Sequence, residues 1–152
     1  MRITRRTLIA AVPALALTVI GLTPAHATTI QAGDYVCVGS APAPRVVNNS
    51  IEWYAEVTCD GDGYGPKWLD ASLERANCDG DFCTFSRVKG PLRSSPSEDF
   101  TRVSRVADNA QCRAAEPPRI AKGKFRVSAD IYSDGGAKHE TGLSEVSELP
   151  CA

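Results

Sequence analysis

Ile51-Glu-Trp-Tyr-Ala-Glu-Val-Thr-Cys59 decides the fold. Ile51, Trp53, Ala55, Val57 and Cys59 alternate with Glu52, Tyr54, Glu56 and Thr58. Successive side chains of an extended strand point to opposite faces, so the period of two predicts a strand with one buried face. Trp53 falls on the apolar face and is expected in the core. Phe125, Val127, Ala129 and Ile131 alternate with Arg126, Ser128, Asp130 and Tyr132 in the same way. Leu69, Ala71 and Leu73, set against Trp68, Asp70, Ser72 and Glu74, give a third strand. Shorter candidates cover 35–38, 82–88 and 143–149.

The connections carry turn chemistry. Asp60-Gly61-Asp62-Gly63, Asp79-Gly80 and Asp134-Gly135-Gly136 supply positive φ at little cost. Ala41-Pro42-Ala43-Pro44 and Glu116-Pro117-Pro118 read as loops, since proline cannot join a central ladder. Cys59-Asp60-Gly61-Asp62 recurs as Cys78-Asp79-Gly80-Asp81, and both copies read as hairpin ends rather than as a duplicated functional unit. One segment, 97–107, carries two signals. Ser95-Pro96-Ser97-Glu98 resembles a capping box, with Phe100, Val103, Val106 and Ala110 near helical spacing. The β-branched run from Thr101 also suits a strand, and a strand is expected because the rest of the chain is β. The whole reads as an all-β antiparallel sandwich of about seven strands, immunoglobulin-like in general architecture.

Six cysteines lie in the chain: Cys37, Cys59, Cys78, Cys83, Cys112 and Cys151. The sequence opens on Met1-Arg-Ile-Thr-Arg-Arg6, an apolar run over 8–22, and Thr23-Pro24-Ala25-His26-Ala27. That order is an export signal with cleavage expected after Ala27. The run falls short of the ~20 residues that span a bilayer comfortably. Residues 1–27 are thus expected to be a signal peptide and 28–152 a single secreted domain. Thr4-Arg5-Arg6-Thr7-Leu8-Ile9 resembles a twin-arginine signal, whereas the cysteines suit the Sec route, and both stay open. An even cysteine set behind such a signal is a disulfide framework. Cys78 and Cys83 enclose a four-residue hairpin tip, and Cys37 and Cys59 end consecutive strands. Cys112 and Cys151 are then left to tie the C-terminus down. Each bond is worth about 2–4 kcal/mol.

The layout resembles small secreted β-sandwich proteins of actinobacteria whose function is largely unassigned. Tyr35-Val-Cys37, the strand ending at Cys59, Gly123-Lys-Phe-Arg-Val127, Ser133-Asp-Gly-Gly136 and the near-terminal Cys151 carry that resemblance. The Cys78-x4-Cys83 spacing is also similar to the short disulfide loop of neocarzinostatin-type chromophore carriers. Neither resemblance implies a catalytic residue.

Charge and composition exclude several classes. Loss of the signal removes three of the 17 basic residues and no acid, leaving 14 against 18 and a net charge of −4. Nothing there recruits nucleic acid or an anionic membrane. Zinc would need a second close cysteine pair, which is missing. Asp60-Gly-Asp62-Gly-Tyr64-Gly65 begins like a calcium loop, but Ala71 stands where a bidentate acid is required. A looser site from Asp60, Asp62, Asp79 and Asp81 is the remaining metal option, and a turn role is expected instead. His139 is the only histidine after the signal, has Glu140 and Ser144 near it in sequence, and reads as an exposed loop residue. No Gly-x-Ser-x-Gly elbow occurs, and no pair among the acids stands out for glycoside hydrolysis.

No catalytic residue, metal or cofactor is therefore expected. Trp68, with Tyr54, Tyr64 and Tyr132, suits an exposed aromatic surface for a protein or sugar, but a second sheet laid over that face is the arrangement expected. Gly90-Pro-Leu-Arg93-Ser-Ser-Pro-Ser97 reads as a proline-bounded exposed loop. With Arg93 before Ser94, such a loop suits the cleft of a trypsin-like protease, although a plain connecting loop is the default. The expected function is a secreted noncatalytic binding module for an extracellular protein or glycan. The alternatives are a hydrolase inhibitor acting through Arg93 and a small secreted hydrolase. Arg93, Trp68 and Tyr64 are the candidate binding residues.

Overall fold

The computed structural model describes residues 27–32, 35–61, 65–113 and 122–151. Tyr64, Asp62, the Glu116-Pro117-Pro118 loop and most of the expected signal lie outside them. Two five-stranded antiparallel sheets pack face to face. The first holds β1 (Ala27–Ala32), β2 (Tyr35–Ser40), β3 (Arg45–Val47), β4 (Ser50–Asp60) and β7 (Ser104–Gln111). The second holds β5 (Trp68–Asp79), β6 (Phe82–Arg93), β8 (Gly123–Ser133), β9 (Lys138–Leu143) and β10 (Ser147–Leu149). β4 is central to the first sheet, with β2 and β3 along one edge and β7 along the other. In the second, β5 and β8 form the middle, β6 flanks β5, and β9 and β10 share the far edge of β8.

The period-two pattern is what fills the space between the layers. Ile51, Trp53, Ala55 and Val57 from β4 meet Leu69, Ala71 and Leu73 from β5 and Phe125, Val127, Ala129 and Ile131 from β8, all buried. Full burial of an aliphatic or aromatic side chain is worth about 1.5–3 kcal/mol, so these three alternating strands supply most of the cohesion. Gly123 is fixed by close approach: a β-carbon there would lie 2.5 Å from the Phe125 ring and 2.7 Å from the Cys151 carbonyl oxygen. All six cysteines are bonded as expected, Cys37 to Cys59, Cys78 to Cys83 and Cys112 to Cys151. Cys37 and Cys59 do not end consecutive strands, however: they are directly opposed within β2 and β4, with β3 between those strands in sequence. Such bonds fit an oxidising, extracellular environment. Among the described residues no helix is long and apolar enough to cross a membrane.

The structure departs from the sequence reading in several places. The strands are more numerous than about seven, because β1, β3 and β9 escape the alternation test. The 143–149 candidate is two strands, β9 ending at Leu143 and β10 starting at Ser147. Ser144 fills the break. Its amide donates to the Val127 carbonyl at 2.8 Å and its hydroxyl accepts from the Val127 amide at 2.8 Å, replacing a missing ladder position. Ser94 repeats the device beyond β6, donating from its amide to Leu69 and accepting the Leu69 amide on its hydroxyl.

The strand expected over 97–107 begins only at Ser104; before it the chain turns. Asp99 accepts from the amide and hydroxyl of Thr101, and Phe100 is buried. Lys67 explains why this turn holds. Its side chain is fully buried, and Nζ donates to the Phe100 carbonyl at 2.9 Å and to the Arg102 carbonyl. A short backbone bridge between Lys67 and Ser97 completes the anchor. Burial lowers the Lys67 pKa below 10.5, opposed by the nearby Asp99 carboxylate. Thr101, through its hydroxyl above all, holds the Asp99 pKa below 3.8.

Candidate functional site

The outer face of the second sheet carries the arrangement richest in recognition chemistry. The register sets it. Trp68 on β5 stands opposite Tyr132 on β8, which stands opposite His139 on β9. One position on, Asp70 lies opposite Asp130, flanked by Arg93 on β6 and Thr141 on β9. Two adjacent rows of one sheet face therefore gather an aromatic row and a charged row, contributed by four strands.

The aromatic row is a continuous stack. Trp68 and Tyr132 stack with centroids 5.0 Å apart and planes 11° from parallel. Tyr132 and His139 stack at 4.6 Å and 15°. The Arg93 guanidinium lies 5.4 Å from the Trp68 ring centroid, over the ring. Aromatic pairs of this kind contribute about 0.5–1.5 kcal/mol beyond their buried area. Gly136 of the 134–136 turn closes on the edge of Trp68, where a β-carbon would meet the ring at 3.0 Å. Gly136 has φ +95°, a conformation that glycine adopts freely.

The charged row locks the stack in place. Arg93 donates to Asp70 through both Nε (2.7 Å to Oδ1) and Nη2 (2.6 Å to Oδ2), the two-pronged geometry that fixes a guanidinium plane. Asp130 accepts from the Thr141 hydroxyl at 2.7 Å and lies 3.5 Å from His139 Nε2. Two carboxylates directly opposite on neighbouring strands repel, and each here has its own donor. The hydrogen bond to Asp70, above all, raises the Arg93 pKa. Burial raises the Tyr132 pKa above 10.0, reinforced by Asp130 and Asp70 and opposed by Arg93.

Several expectations are corrected here. The 90–97 segment does not form an exposed loop. Gly90 to Arg93 are the last residues of β6, Ser94 is buried, and the backbone just after Arg93 is held by Leu69. Pro91 is tolerated because β6 is an edge strand. Arg93 stays exposed, but on the end of strand β6 and braced by Asp70 and Trp68, not on a free loop. The second sheet does not lie over Trp68; it carries Trp68 on its outer face. Tyr54 is on the opposite side of the sandwich, under the Arg105 guanidinium at 4.3 Å. His139 is in β9, not in a loop, and Ser144 is committed to Val127 and the Glu145 carbonyl. Among the described residues no three metal-ligating side chains come together. The stack members Arg93 and Trp68 were readable as candidates; His139 was not, because its stacking depends on a β8–β9 register that a polar strand does not announce.

The chain matches no protein-family model, no curated protein and no solved structure.

Proposed function

We propose that this chain is a secreted, noncatalytic binding module that presents the Arg93–Trp68–Tyr132–His139 stack to an extracellular protein. The carrying observation is that four strands hold these side chains against one another before any partner arrives. Preorganised side chains lose little further freedom on binding, and Trp, Tyr and Arg dominate the energetics of protein interfaces. The stack also favours a protein over a sugar. Trp68 is covered on one face by Tyr132 and on the other by Arg93, and Tyr132 lies between Trp68 and His139. A pyranose ring needs an open aromatic face, and neither ring offers one. Ring edges, a guanidinium, an imidazole and two carboxylates point outward instead, which is the mixture a protein surface satisfies. The signal at the N-terminus and the three disulfides support an extracellular site of action.

The test is affinity capture from the extracellular fraction of the producing cells, with the mature chain beside a Trp68→Ala/Tyr132→Ala variant and a Phe82→Ala control. Partners recovered by wild type and control but lost with the double variant support the reading. Identical partner sets for all three, or a glycan ligand lost with the double variant, overturn it.

A further inference from the structure

A second candidate site lies away from the stack, between the layers, where the edge strands β6 and β7 face each other. There the pattern of β5 breaks. Leu69, Ala71 and Leu73 face the core, and Arg75 occupies the next inward position, directly opposite Phe125 in the register. A guanidinium where an apolar side chain is expected departs from the local rule, and such departures concentrate at functional sites. The space beside it is a cleft of about 600 Å³, within the range that takes small organic ligands.

Its chemistry is one-sided. Ile51 and Ala110, paired across β4 and β7, floor the cleft from the first sheet, and Phe125 from the second. Arg75, Lys89 and Arg113 supply the charge, and no acidic residue among those described lines it. Lys89 is already engaged by Asp108 at 3.5 Å, an ion pair that joins the two sheets at the mouth. Arg75 lies 5.9 Å from the Phe125 centroid. Neither Arg75 nor Arg113 has a carboxylate partner among the described residues. In a mature chain of net charge −4, two guanidiniums without acids beside an apolar floor form a local reversal of sign.

We propose that this cleft binds a small organic carboxylate with an aromatic or acyl body, the body against Ile51, Ala110 and Phe125 and the carboxylate paired with Arg75 and Arg113. The planar fork of a guanidinium matches a carboxylate through two parallel hydrogen bonds. The site is independent of the stack on the outer face.

The mature chain is titrated with pyrene-1-butyrate, followed by calorimetry, with pyrene-1-butanol as the uncharged analogue. Saturable one-to-one binding of the acid is expected, with the alcohol at least about tenfold weaker. Arg75→Ala/Arg113→Ala removes about 10–100-fold of the affinity for the acid and abolishes the preference over the alcohol. Should that variant lose its near-ultraviolet circular dichroism, Arg75→Lys/Arg113→Lys replaces it, and an intermediate loss is expected because a point charge lacks the fork. Trp68→Ala leaves binding unchanged, which separates this site from the proposed protein-binding face. No saturable binding at millimolar acid, equal affinity for acid and alcohol, unchanged affinity in the arginine variants, or loss with Trp68→Ala would each overturn the proposal.

Discussion

Removing the Cys112–Cys151 bond is expected to cost more than removing Cys78–Cys83. The two residues are 39 apart in sequence, against 22 for Cys37–Cys59 and five for Cys78–Cys83. Loop-closure entropy of the unfolded chain gives about 4, 3.4 and 2 kcal/mol for these separations at 25 °C. Context widens the gap to Cys78–Cys83. Cys151 is fully buried, its carbonyl lies against Gly123, and β10 just before it holds only the three positions of its pairing with β8. Cys78 and Cys83 are exposed at the end of a hairpin arm that β8 no longer accompanies past Arg75, so their bond shapes the tip rather than the core. For a domain whose total stability is about 5–15 kcal/mol, losing roughly 4 is severe. The assay is urea unfolding of Cys112→Ala/Cys151→Ala beside Cys78→Ala/Cys83→Ala, with stability from midpoint and slope. A loss below about 1 kcal/mol for the first pair, or a larger loss for the second, would refute the claim that this bond ties the C-terminal strand to the body.

Ser144→Ala leaves the Val127 amide without its acceptor and should cost about 1–3 kcal/mol by thermal unfolding, as should Ser94→Ala for the Leu69 amide. Lys67 predicts a pH effect. Its folded pKa is below 10.5, so the unfolded chain binds more protons between the two values. Its contribution to stability therefore rises with pH through that window and is complete above 10.5; Lys67→Met should remove this alkaline gain in denaturation curves. Tyr132 has the opposite sign, since its phenol is held neutral beyond pH 10. Its contribution falls as pH rises past 10, and the absorbance titration of wild type minus Tyr132→Phe should show a tyrosine ionising above 10.

Much of the fold was legible because buried, two-layer strands must alternate, and 51–59, 68–74 and 125–131 do so without interruption. What escaped obeys weaker constraints. β9, Lys-His-Glu-Thr-Gly-Leu, lies on a sheet edge with only Gly142 buried, so no apolar face is demanded of it. β3 did carry a signal: Asn48 and Asn49, both at positive φ, are the two-residue turn that joins it to β4. Pro91 hid the end of β6, because proline marks a loop in a central strand but not on an edge. The Cys78–Cys83 bond was readable from the hairpin tip, whereas Cys37 and Cys59 meet because they are opposed within β2 and β4 rather than because they end strands. Of the candidate site, Trp68 and Arg93 were readable as residues but not as neighbours. Their meeting depends on β6 and β8 flanking β5, and on Asp70 pulling Arg93 across the sheet, which only the register determines.

The proposed binding role places the outer face of the second sheet against a protein outside the cell. Site-specific photo-crosslinking tests it most directly, with a photoreactive side chain placed at Thr141, beside the stack, and in a second sample at Glu56, on the outer face of the first sheet. A discrete protein adduct is expected from position 141, disappearing when Trp68→Ala and Tyr132→Ala are added, with no such adduct from position 56. An adduct from position 56 alone, or one at position 141 that survives loss of both rings, would contradict it.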